Sequence, residues 1–170
     1  MKYLLTITII VCSAVLCKGQ SASEWLSNGI TKQNAQDYKG AIEDYTKAVS
    51  AAPKLRDGYY NKGTCELALK DLSAAQKDFD KTIELDKKFD KAYFNRAAIL
   101  VSEDKYKDAL ADMDKVIAIA PDTKNAYGFR GQIKLKLGNI KGACEDLYKV
   151  KEKGDPKADQ LIKQFCSDSK

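Results

Sequence analysis

Residues 90–123, DKAYFNRAAILVSEDKYKDALADMDKVIAIAPDT, decide the fold. Ala92, Tyr93, Arg96, Ala97 and Leu100 recur at three- and four-residue spacings. The polar stretch 102–105 interrupts them, and Tyr106, Ala109, Leu110, Met113, Val116 and Ile117 resume the pattern before Pro121. Spacing of that kind gathers apolar side chains on one face of a helix, and a polar break followed by a proline marks helix ends. The stretch reads as helix, short turn, helix.

Sliding the chain against itself by 34 residues extends the reading in both directions. Trp25, Tyr59, Tyr93 and Tyr127 superimpose, as do Ala41, Ala75, Ala109 and Ala143. Four residues after the aromatic stand Gly29, Gly63, Ala97 and Gly131, and twenty after it Tyr45, Phe79, Met113 and Leu147. Small residues at two fixed places and bulky ones at others imply two helices crossing closely at the small sites, with large side chains filling the space around the crossing. The units run 22–55, 56–89, 90–123 and 124–157, and Pro53 and Pro121 close second helices. No unit carries a useful length of strand-like alternation. The sequence therefore predicts an all-α protein.

This pattern resembles the tetratricopeptide repeat, the 34-residue helical hairpin family, over residues 22–157. The resemblance implies a right-handed superhelical solenoid of four repeats whose first helices line a concave groove that holds a peptide or another protein's helix. Three departures stand out. The family's tyrosine in the middle of the first helix is replaced by Lys32, Glu66, Leu100 and Lys134; unit two has Lys87 for the closing proline; unit four has Asp155 there, with Pro156 one later. They are expected to loosen local packing. After unit four, Pro156 opens a last helix with Ala158, Leu161, Ile162 and Phe165 on one stripe, expected to be a C-terminal capping helix within 158–170, because a solenoid cannot leave its last apolar face in water.

Residues 1–19 read as a secretory signal peptide: Lys2, an apolar run from Leu4 to Leu16, then Cys17, Lys18 and Gly19, with Gln20 first after cleavage. Thirteen helical residues reach about 20 Å against a hydrocarbon core of about 30 Å, so no stable membrane span is expected after cleavage. Lipidation at Cys17 fails because Leu16 before it is large. Removal leaves 27 basic against 24 acidic side chains, a net of +3, with only Arg56, Arg96 and Arg130 able to make forked contacts. Nucleic acid is an unexpected partner on that balance. By resemblance to short exported bacterial members of the family, the periplasm or outer envelope is the expected place.

The whole chain contains no histidine, which excludes imidazole-activated nucleophiles and His-liganded zinc. No Gly-rich phosphate loop or isolated carboxylate pair is found. The sequence is therefore read as a non-enzymatic binding scaffold with no cofactor or metal. Asp44, Asp78, Asp112 and Asp146 share one place in the second helices, and Asn28, Lys62, Arg96 and Arg130 one place in the first. Four aspartates on four hairpins do not converge as calcium requires. Pairing with cations is expected instead, Arg96 with Asp112 and Arg130 with Asp146 first.

Removing the signal leaves Cys65, Cys144 and Cys166. Antiparallel packing of the last second helix and the cap would bring Cys144 and Cys166 together, so a disulfide is one reading and two separate buried thiols the other. Cys65 reads as a small buried hydrophobe. With the family geometry, the groove carries Leu26, Ser27 and Ile30; Tyr60, Asn61 and Thr64; Lys91, Phe94, Asn95 and Ala98; Phe129, Gln132 and Lys136. Of these Tyr60, Asn61, Lys91, Phe94, Asn95, Phe129 and Gln132 are the candidate contacts to a protein or peptide partner, the aromatics as rigid anchors and the amides as backbone partners. The alternative is that these aromatics only pack between repeats. One variant of the family grips a terminal carboxylate with five side chains; Asn61 and Lys91 match two of them, while Leu26, Ile30 and Asn95 replace the others, so no such clamp is expected. A free scaffold should be a monomer, whereas a structural subunit of an envelope complex, the competing reading, should self-associate or copurify with its partner.

Overall fold

The computed structural model describes residues 20–123 and 125–166. The signal-peptide reading of residues 1–19 lies outside them. Eight helices pair into four hairpins: α1 (Ala22–Asn34) with α2 (Tyr38–Ala51), α3 (Arg56–Ala68) with α4 (Leu72–Leu85), α5 (Asp90–Ser102) with α6 (Tyr106–Ile119), and α7 (Ala126–Lys136) with α8 (Ile140–Glu152). A ninth, α9 (Lys157–Phe165), packs on α8. Each helix touches chiefly the one before and the one after it, so the hairpins stack in chain order as a solenoid. No strand occurs among the described residues.

The period is written into the backbone as well as the side chains. Gln36, Lys70, Asp104 and Gly138, each 34 residues on from the last, turn the chain between the two helices of a hairpin at φ 62°, 64°, 57° and 73°. The residue that follows caps the second helix: Asp37, Asp71 and Asn139 accept from the backbone N–H groups of Gly40, Ala74 and Gly142, whereas Lys105 in unit three makes no such bond. α1 opens with a capping box, Ser21 and Glu24 each accepting from the other's backbone N–H. α7 starts two residues later in its period than α1, α3 and α5 do, because Asn125 before it is left-handed, at φ 71°.

The crossing sites are packed as the repeated small residues require. Ala41, Ala75, Ala109 and Ala143 are completely buried, and Gly29, Gly63, Ala97 and Gly131 lie buried opposite Tyr45, Phe79, Met113 and Leu147. The central core joins units two to four through Phe79, Ile83, Tyr93, Ile99, Leu100, Met113, Val116 and Ile133. At the C-terminal end Leu161, Ile162 and Phe165 of α9 cover Leu147, so this helix caps the solenoid. Cys144 and Cys166 are bonded, with their Cα atoms 5.7 Å apart. Cys65 is a fully buried free thiol, and burial pushes it up to about 11.

Candidate functional site

Two rows of side chains run along the first helices, one reaching the aspartates of the second helices and one meeting the neighbouring first helices. The first row is ionic. Asp112 receives a bidentate contact from Arg96, Nε at 2.8 Å and Nη2 at 2.6 Å, while Nη1 of the same guanidinium reaches back 2.6 Å to Asp80 of the preceding hairpin. Arg130 repeats this with Asp146, at 2.9 and 2.6 Å, and with Asp114 at 2.7 Å. The expected Arg96–Asp112 and Arg130–Asp146 pairs are present, and each arginine also ties two consecutive repeats together. With the aspartates engaged in this way, their regular spacing has a structural explanation.

Three of the four departures at the mid-helix tyrosine place make specific contacts or join the core. Lys32 lies 2.6 Å from Asp44, and Lys134 lies 2.8 Å from Asp146. In unit one, where Asn28 stands at the arginine place, the ammonium one turn further along supplies the charge instead. Leu100 is simply buried in the core. Sequence reasoning missed Lys32 and Lys134 as partners; the signal was their spacing of twelve residues before the aspartate, against sixteen for the arginines.

The second row is aromatic and amide. Tyr60 packs on Phe79 at 6.0 Å and Phe89 at 4.8 Å between ring centroids, and Asn95 of the next repeat donates to its hydroxyl at 3.5 Å. Burial holds the Tyr60 phenol above its ordinary range, with the Asn95 amide pulling the other way. Phe94 and Phe129 lie 5.5 Å apart across units three and four. Gln33 of α1 accepts from the Tyr45 hydroxyl at 2.6 Å and donates to Thr64 at 3.2 Å, continuing the row into unit one; it was not among the sequence candidates. Asn61 is half-buried, Lys91, Gln132 and Lys136 are exposed, and Ile30 is exposed at the unit-one end. Tyr60, Phe94 and Phe129 are each half-buried, packed between repeats against the core and still partly accessible. Of the seven candidates, Tyr60 meets Asn95 and Phe94 meets Phe129, so flat apolar area lies beside an amide donor.

Known proteins agree with this construction. The family model for the tetratricopeptide repeat matches residues 57–89 and 90–123. Residues 57–123 match that repeat, and the chain as a whole has the fold of a tetratricopeptide-repeat solenoid. The crystal structure of MamA superimposes with a TM-score of 0.75 at 24% identity, covering 81% of each chain. The first repeat domain of Spaghetti (RPAP3), solved with the HSP90 peptide SRMEEVD, superimposes at 0.67 with 25% identity over 70% of this chain and 94% of that one. The repeat domain of Arabidopsis OM64 gives 0.65 at 24% identity over 68% and 95%. No curated protein sequence matches the chain. In this repeat solenoid Asn95 is committed to Tyr60 and Ile30 is apolar, so the five-residue carboxylate clamp is not assembled.

Proposed function

We propose that this repeat protein is a non-enzymatic scaffold that holds a peptide or protein segment against the second row of its first helices, the concave groove of the family, outside the cytoplasm. The observation that carries the reading is the continuity of that row: Gln33–Thr64, Tyr60–Asn95 and Phe94–Phe129 link successive repeats, so anchors and amides are held at fixed separations before any partner arrives. Half-buried aromatics flanked by exposed Lys91 and Gln132 suit a segment with apolar side chains and a backbone to be hydrogen-bonded. The absence of histidine supports the non-enzymatic reading. Export is supported by the leader-like residues 1–19 and by the Cys144–Cys166 bond, since such bonds persist in oxidising compartments.

The test uses a chain beginning at Gln20, immobilised and offered envelope or culture proteins. Asn61→Ala, Lys91→Ala and Gln132→Ala are combined, since these side chains are not core and should leave helicity and the unfolding midpoint unchanged. Loss of a retained partner is the expected result. Retention unaffected by the triple change moves binding to the outer face of the second helices or to the cap.

A further inference from the structure

Unit two differs from the other three in its balance of buried charge. Every second helix buries one aspartate: Asp44, Asp78, Asp112 or Asp146. Lys32 faces Asp44, Arg96 clasps Asp112, and Arg130 with Lys134 serves Asp146. In unit two the place of Lys32 and Lys134 is held by Glu66, so two carboxyls converge on one ammonium. Lys62 Nζ lies 2.8 Å from Asp78 Oδ2 and 3.5 Å from Glu66 Oε1. The Glu66 and Asp78 side chains are only 8% and 9% exposed. Among the described residues, Glu66 Oε2 is buried and has no hydrogen-bond donor. Two acids with one cation leave an uncompensated negative charge where little water reaches, a state that buried sites relieve by taking up a proton.

We propose that Glu66, held beside Asp78 with one ammonium between them, keeps a proton in the folded chain and makes the α3–α4 hairpin a pH-sensitive joint. With the proton on Glu66, Lys62 balances the charge of Asp78 and the hairpin is closed; when the proton leaves, two carboxylates repel across the crossing of α3 and α4 and the hairpin loosens. Burial first, then the charge of Asp78, push Glu66 up to about 7, with Lys62 acting in opposition. Cys65 beside Glu66 on α3 is held as the thiol, and Tyr45 of α2, facing Cys65, as the phenol.

The sign follows from proton counting. Between about 4.5, the ordinary value, and about 7, the folded chain holds a proton at this site that the unfolded chain has lost. Rising pH therefore lowers the folding equilibrium constant by up to about tenfold per pH unit in that window and has no further effect through this site above it. Urea unfolding from pH 5 to pH 8 of the chain and of Glu66→Gln isolates the site, because the other carboxyls cancel in the ratio of the two folding constants. The expected ratio, wild type over variant, falls steeply from pH 5 to about pH 7 and then levels; a ratio constant with pH overturns the proposal. Should Glu66→Gln not fold, Glu66→Leu, the residue unit three uses at Leu100, serves in its place. A carbon-13 NMR titration of the wild-type side chain decides independently: a Glu66 midpoint near 7 supports the retained proton, and one near the ordinary value overturns it.

Discussion

At the scale of single residues, the four small crossing sites look interchangeable in sequence and are not so in packing. A Cβ on Gly29 would stand 2.5 Å from Cε1 of Tyr45, and that ring cannot swing away because its hydroxyl is held by Gln33. A Cβ on Gly131 would meet nothing nearer than 3.5 Å, at Asp146 Cβ. Gly29→Ala is therefore expected to destabilise by about 1–3 kcal/mol through overpacking. Gly131→Ala should stabilise by about 1 kcal/mol, because a helix-interior glycine is replaced at no steric cost. Urea unfolding of the two variants checks the opposite signs. The small sites themselves were legible at period 34, since any close crossing demands them. The difference between Gly29 and Gly131 was not, because it depends on the angle at which Tyr45 or Leu147 approaches. The same limit explains Lys32 and Lys134: the sequence showed a missing tyrosine, but only the spatial turn of the helix shows an ammonium reaching Asp44 or Asp146.

At the scale of elements, α9 needs more support than the other helices. Nine residues are too few to form a stable helix alone, and α9 has a packed neighbour only on the side of α8. Leu161, Ile162 and Phe165 supply the apolar face, and the Cys144–Cys166 bond closes a separation of 22 residues. Constraining that loop is worth roughly 3 kcal/mol in the chain-entropy account. Cys166→Ser should consequently raise amide exchange in α9 by about a hundredfold while leaving α3 to α6 protected, because distant units of a solenoid do not share contacts. A chain beginning at Gln20, unfolded without reductant, should alkylate at one thiol, Cys65, and at three after reduction. Three without reductant would remove the bond. The cap was readable from its stripe behind Pro156, and the proximity of the two cysteines followed from antiparallel packing. What escaped the sequence at this scale was the late start of α7, because a left-handed Asn125 carries no periodic signal.

At the scale of the molecule, the solenoid is held by a register of charges in which units compensate differently for the same buried aspartate. Arg96 alone faces Asp112, since Leu100 occupies the place that Lys134 holds in unit four. Asp146 has two cations, so it keeps one when the other is removed. Arg96→Ala strands a buried carboxylate and also cuts the tie to Asp80 of unit two, and is expected to cost about 3–5 kcal/mol. Arg130→Ala leaves Asp146 with Lys134 and should cost roughly 1–3 kcal/mol, mainly lost hydrogen bonds and the tie to Asp114. Because the repeat carries one geometry through all four units, the second cation is transferable. Leu100→Lys placed on Arg96→Ala puts an ammonium where Lys134 stands and should recover part of the lost stability. The tie to Asp80 stays cut, so the denaturation midpoint should return only part-way while unit two still unfolds more readily from unit three. Equal losses for Arg96→Ala and Arg130→Ala, or no recovery with Leu100→Lys, would mean that the hydrophobic crossing alone sets the stack and the ionic register is incidental to it.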